Sequence, residues 1–155
     1  MEFKAFKMDG LGNDFVIIDQ RNDHIDLTND QIQKICNRNF IGCDQLIFIK
    51  KNEKIDADME FYNSDGSASG ACGNGTRCVA YLLSKEMNKN KIILGTKSGN
   101  LESKILGEKL VETKIGSVKN KWNEIPLLKE LNTLNLNYKI IDKNNKEYFG
   151  GTAVN

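Results

Sequence analysis

The sequence predicts an α+β fold in which a sheet wraps around one buried helix. Three observations carry this. Seven short segments alternate in strand fashion and are bounded by Gly, Asn or Asp. One later segment is apolar over most of a helical circumference, as expected of a helix covered on several sides. With 155 residues, 39% of them hydrophobic and 28% charged, the chain has the size and composition of one ordinary domain. A chain of that length buries about two-thirds of its unfolded surface without a disulfide or metal staple.

The elements follow in order. Phe3–Met8 and Asp14–Asp19 read as strands, and the glycine-containing stretch between them reads as a hairpin turn. Thr28 opens a helix: Gln31, three residues on, completes a capping box, and Leu27 and Ile32 stand where a hydrophobic staple places them. The apolar face of that helix is Ile32, Ile35 and Cys36. Gln45–Lys50 and Lys54–Tyr62 are the next strands. A second helix follows Cys72-Gly73-Asn74-Gly75 and runs to about Met87. Val79, Leu82, Leu83 and Met87 recur there at helical spacing, with Cys78 and Tyr81 widening the stripe. Lys91–Thr96, Leu101–Leu106 and Leu110–Ile115 complete the strands. The sole proline, Pro126, lies in a connection, Asn120–Pro126, and Glu147–Asn155 looks like the start of a further strand. No internal repeat or low-complexity linker divides the chain.

Charge and composition exclude several classes. Lys plus Arg number 22 against 21 for Asp plus Glu, a net of +1, so the basic excess of a nucleic-acid or membrane-surface binder is absent. Uninterrupted aliphatic and aromatic runs such as Phe15–Ile18 and Leu46–Ile49 are far shorter than a membrane span. The N-terminal residues lack the apolar core of a signal peptide. Four cysteines without such a signal fit a reducing, cytoplasmic setting.

The densest chemical constellation runs from Asn63-Ser64-Asp65-Gly66-Ser67 to Cys72-Gly73-Asn74-Gly75-Thr76-Arg77-Cys78. It joins a strand end to the start of the buried helix. First-turn N–H groups have no internal partner, and with the macrodipole they suit a carboxylate or phosphate. The same field favours a thiolate, which makes Cys72 the candidate reactive thiol. Glycines 73 and 75 are expected to let a ligand approach the backbone. Plain turn chemistry also explains Asn63–Ser67, and packing also explains a cysteine before a helix. The Walker pattern is absent. Cys72 and Cys78 would stand about 9 Å apart along a helix, beyond disulfide reach. Neither that pair nor Cys36 and Cys43 has zinc-site spacing, and no metal is expected. Cys36, Cys43 and Cys78 are simplest as small core residues. The lone His24 supports no catalytic triad.

Lys7-Met8 through Asp14-Phe15, Gly42-Cys43-Asp44-Gln45-Leu46, Asn63–Ser67 and the Cys72–Cys78 run, taken together in order and spacing, resemble the diaminopimelate epimerases. Proline racemases and phenazine-type isomerases share that fold but differ around the thiol. The resemblance implies a cofactor-independent isomerase of lysine and peptidoglycan precursor synthesis, interconverting LL- and meso-diaminopimelate. It implies two similar domains, each a curled, mostly antiparallel sheet around a central helix, with the site between them and one catalytic cysteine from each. Cys72 matches the first catalytic cysteine. Gly73 and Asn74 match the backbone donors to the substrate α-carboxylate, and Asn13, Gln45 and Asn63 match substrate-binding amides. Residues 1–146 are then expected to be the N-terminal epimerase domain and 147–155 the start of a second. The chain alone is expected to be inactive, its partner being the C-terminal domain, with a homodimer also open. A non-catalytic carboxylate- or phosphate-binding module, or a racemase of another amino acid on the same fold, are the alternatives.

Overall fold

The computed structural model describes residues 3–125, 127–134, 136–141 and 143–150. They fall into two compact units, Met1–Lys114 and Ile115–Asn155. In the first unit the strands are β1 (Ala5–Gly10), β2 (Asn13–Asp19), β3 (Gln45–Lys50), β4 (Ala57–Asn63), β5 (Ala68–Ser69), β6 (Lys91–Thr96), β7 (Gly99–Gly107) and β8 (Leu110–Lys114). Two helices accompany them, α1 (Asn29–Cys36) and α2 (Gly73–Met87). The sheet runs β1-β2-β3-β4-β6-β7-β8, with β5 added to β4. The β2–β3 and β4–β6 pairs are parallel and the rest antiparallel. This is the predicted α+β architecture.

The strand period of two sorts the core into two faces. Phe15, Ile17, Ile47, Ile49, Met59 and Phe61 point to the side of α2, where they meet Val79, Ala80 and Leu83. The alternate residues Val16, Ile18, Leu46 and Phe48 point to α1 and meet Ile32, Ile35 and Cys36. Both faces of β2 and β3 are therefore covered, which explains their unbroken apolar runs. Helix α2 packs against β1 and β2 at one end of the sheet and β6, β7 and β8 at the other. A sheet whose first and last strands both touch one helix has curled around it.

Local chemistry decides the boundaries. Thr28 and Gln31 close the start of α1 as a full capping box, Gln31 N–H donating to Thr28 Oγ1 at 3.3 Å and Thr28 N–H to Gln31 Oε1 at 2.8 Å. The β1–β2 connection is a two-residue turn, Leu11 and Gly12, with φ of 59° and 82°. Positive φ at both positions matches the twist of a tight hairpin. Strand β4 begins at Ala57 rather than at Lys54. Asn52 Oδ1 accepts from the N–H groups of Lys54 and Ile55 at 2.8 and 3.1 Å, which holds them in a turn.

The start of β2 is tied to its neighbours by charge. Asp14 receives Lys7 Nζ at 2.5 Å and both terminal guanidinium nitrogens of Arg38, at 2.6 and 2.8 Å. The second unit holds a 3-10 turn, Trp122–Glu124, and an antiparallel pair, β9 (Leu136–Ile141) with β10 (Glu147–Gly150). The expected strand start at Glu147 is thus met as far as Gly150. Residues 151–155 and Pro126 lie outside the described residues.

Two outcomes are expected. Gly75→Ala should gain helix propensity, yet its new Cβ would lie 2.8 Å from Ile47 Cδ1 and 3.0 Å from Phe61 Cε1. Overpacking should win, lowering stability in urea unfolding by about 1–3 kcal/mol. The second concerns acid. Hydrogen bonds from Arg38, and then Lys7, hold the Asp14 carboxyl well below its ordinary range against the opposing effect of burial. Its contribution is complete above the unfolded carboxyl's value and is lost as pH falls below about 4. Asp14→Asn should be less stable near neutrality and show a shallower loss on acidification, read from melting temperatures across pH.

Candidate functional site

Strand parity assembles the amides. Asn13, at the start of β2, shares the parity of Phe15 and Ile17. Gln45, at the start of β3, shares that of Ile47. Asn63, at the end of β4, shares that of Phe61. All three therefore belong to the face that carries α2. Register brings them to one end of the sheet, because Phe15 pairs with Gln45 and Gln45 with Asn63. The chain then turns through β5 and enters α2 at that end, with Cys72 as the N-cap and Gly73 and Asn74 as the first helical residues.

Cysteine is an uncommon N-cap, and here the sulfur does the capping. Gly75 N–H donates to Cys72 Sγ at 3.4 Å, the bond that a Ser or Asp oxygen ordinarily accepts. The Cys72 thiol lies 3.7 Å from Asn13 Oδ1, to which it donates. Asn74 Nδ2 donates to the same oxygen at 3.4 Å. Arg77, one turn into α2, donates to Asn74 Oδ1. Beside this group Gln45 Nε2 donates to Asn63 Oδ1 at 2.9 Å, and Asn63 Nδ2 to Ser67 Oγ at 3.1 Å. The N–H groups of Gly73 and Asn74 open the helix and have no intrahelical partner. No acidic residue stands in the first turn of α2.

The structure thus brings together every site residue read from the sequence: Asn13, Cys72 and Asn74 in one hydrogen-bonded group, Gln45 and Asn63 in an adjacent pair, and Gly73 at the helix start. One glycine reading is corrected. Gly75 is buried against Ile47, Phe61 and Phe15, so its missing Cβ serves packing rather than ligand approach. Asp44 and Arg77 were not singled out as site residues, yet both touch the site. Asn13 Nδ2 donates to Asp44 Oδ2 at 2.8 Å, a contact between residues 31 apart that no local pattern announces.

The remaining thiols are buried in the core. Cys78 is buried; burial, with the negative charge of Asp9 second, pushes its pKa up to about 11. Cys36 and Cys43 are also buried and free, with their sulfurs 3.3 Å apart. Burial and the neighbouring sulfur push the Cys36 thiol up. Among the described residues, no cluster of three or more His, Cys, Asp or Glu could hold a metal ion. No described helix is long and apolar enough to cross a membrane.

Comparisons with known proteins identify the chain's relatives. The diaminopimelate epimerase of Pelagibacter ubique is 66% identical across 100% of this chain, which covers 57% of that protein. That of Phenylobacterium zucineum is 45% identical over 78% of this chain and 44% of its own length. The chain spans about half the length of the curated relatives it matches. A Bacillus anthracis phenazine biosynthesis protein of the PhzF family shares the fold, with a TM-score of 0.52 at 24% identity over 67% of this chain and 36% of that one. A Clostridium difficile protein described as a putative phenazine biosynthesis PhzC/PhzF protein gives a TM-score of 0.53 at 24% identity, covering 66% and 40%. The family model for diaminopimelate epimerase matches residues 5–121, which contain both helices and the whole constellation of amides and thiol. This chain belongs to the diaminopimelate epimerase family.

Proposed function

We propose that this chain supplies one half of a cofactor-independent epimerase that interconverts LL- and meso-diaminopimelate. In this reading Cys72 is one of two acid–base thiols. The observation that carries it is the placement of the Cys72 sulfur. It caps α2, accepts Gly75 N–H, and stands beside Asn13, Asn74 and the open N–H groups of the first helical turn.

The chemistry follows from the weakness of the substrate acid. An amino acid's α-proton is held tightly, so a base alone is insufficient and the developing carbanion must be stabilised. The N–H groups of Gly73 and Asn74, backed by the helix field, would hold the α-carboxylate as negative charge moves into it. Cys72 as thiolate takes the α-proton, and the C–H electron pair stays on the substrate. A thiol on the opposite face then donates its proton to the α-carbon and becomes the thiolate. Configuration inverts, and the two sulfurs exchange protonation states. Gln45 Oε1 is buried and has no hydrogen-bond partner among the described residues, which suits an acceptor for a substrate ammonium.

The opposite thiol has to come from beyond these residues. Cys78 is buried within the same helix as Cys72, and Cys36 and Cys43 are buried on the α1 side. A second domain bearing that thiol would fit a chain about half as long as its relatives. We place residues 1–146 in the first domain, residues 147–155 at the start of the second, and the enzyme in the cytoplasm.

Two measurements test this. In the protein extended to its relatives' length, Cys72→Ala should lower epimerisation and solvent-deuterium incorporation at the α-carbon by about a thousandfold. Near-normal exchange would remove Cys72 from the mechanism. The isolated 155-residue chain should show no turnover of LL-diaminopimelate; turnover would overturn the division of thiols between two domains.

A further inference from the structure

We propose that Asp44 is a positioning residue, locking the Asn13 side chain so that its carbonyl oxygen, and not its NH2 group, faces the Cys72 sulfur. The proposal rests on the reading of Cys72 as the reactive thiol.

The orientation of Asn13 follows from what its neighbours can do. An ionised carboxylate only accepts hydrogen bonds and a guanidinium only donates them. Asp44 Oδ2 lies 2.8 Å from one end of the Asn13 amide, so that end must be the NH2 group. The other end, the oxygen, is turned to Cys72 and Asn74. Arg77 fixes the next amide in the same sense: it must face Asn74 Oδ1, which leaves Asn74 Nδ2 as a donor to Asn13 Oδ1. Two amides that could each have pointed either way are thus polarised by a charge at each end of the chain, Asp44 outside and Arg77 inside.

Asp44 is itself held. Its second oxygen takes Arg38 at 2.6 Å, and Oδ2 also accepts the Asp14 N–H at 3.1 Å. In return the Asp44 N–H donates to Asp14 Oδ1 at 3.0 Å. The carboxylate therefore sits on the paired starts of β2 and β3, next to Gln45, and moves with the strands that carry the site amides.

The consequence for Cys72 has a sign. A carbonyl oxygen facing the sulfur receives the S–H and opposes a negative sulfur, offsetting part of the thiolate stabilisation from the Gly75 N–H and the helix field. Asp44 thereby keeps an acceptor on the Cys72 S–H, a partner for the proton that a sulfur working in both directions must give back. Without Asp44, only the 3.4 Å bond from Asn74 still opposes the flip, and the Asn13 amide can turn its NH2 group toward the sulfur and favour thiolate.

The test is iodoacetamide labelling of the full-length protein at about pH 7, with each cysteine followed by peptide mass spectrometry and thiolate by ultraviolet absorbance. Asp44→Ala should raise the labelling rate and thiolate absorbance of Cys72 by about twofold to tenfold, leaving Cys36, Cys43 and Cys78 protected. Asp44→Asn, which keeps the loop's shape, should move Cys72 the same way by less, and it serves if the alanine variant unfolds. In an Asn13→Ala background the Asp44 substitutions should change nothing further. An unchanged or lowered Cys72 rate overturns the proposal. So does an effect that persists without Asn13, or labelling that rises at all four thiols. Failure of Cys72 to label in the unsubstituted protein would instead remove the reactive-thiol reading, and this proposal with it.

Discussion

The contact on which the site depends is the one between Gly75 and the sheet. In the first turn of α2, the backbone approaches Ile47, Phe61 and Phe15 so closely that no side chain fits between. That approach seats the helix start against β2, β3 and β4 at the end where their amides stand. Had the helix stood off by the width of a methyl group, the Cys72 sulfur would have left Asn13, and the N–H groups of Gly73 and Asn74 would no longer share a site with Gln45 and Asn63. Core packing and site geometry are here the same constraint. The residues that bury Gly75 belong to the strands carrying the site amides, two positions from Asn13, Gln45 and Asn63.

Parity does the rest. In β2, β3 and β4 the face that ends in an amide is the face that packs against α2, because side chains alternate strictly along a strand. The strand pairs then bring those ends level. A one-residue slip of β3 against β2 would turn Gln45 toward α1 and bury Leu46 on the wrong side. The apolar residues therefore guard the register that the polar ones need, and the site needs few hydrogen bonds of its own to be assembled.

Much of this was legible in the sequence, where the signal is local. Thr28 and Gln31 announce the start of α1 within four residues, and the apolar stripe of α2 shows in one window. The strands Gln45–Lys50 and Lys91–Thr96 are bounded by their own turn residues and occur as read. What was hidden is non-local. Asp44 meets Asn13 only because β2 and β3 run parallel, a pairing that joins strands through α1 and leaves no turn to mark it. Gly75 looked like room for a ligand because its burial depends on Ile47, Phe15 and Phe61, distant in sequence. The two halves of the Cys36–Cys43 contact are also legible only as separate small core residues until the chain folds back from α1. The β9 strand was missed as well, its partner β10 lying further along the chain.

The two helix starts show how the chain separates structure from chemistry. Both present unpaired N–H groups and a positive field. At α1, the capping box satisfies the N–H groups of Gln31 and Thr28, and Asp30 in the first turn opposes the field. That end carries its own oxygen cap and its own negative charge. At α2, the capping atom is a sulfur, a weaker acceptor than the oxygen it replaces, and the first turn carries no acid. Stability forgone at that cap leaves a field directed at whatever negative charge arrives or develops there. Arg77 and Asp44 stand one amide removed, where they orient the groups around the sulfur without pairing with it. A helix start left incomplete, yet held rigidly by a buried glycine behind it, is a place where charge can form during a reaction without the protein having to move.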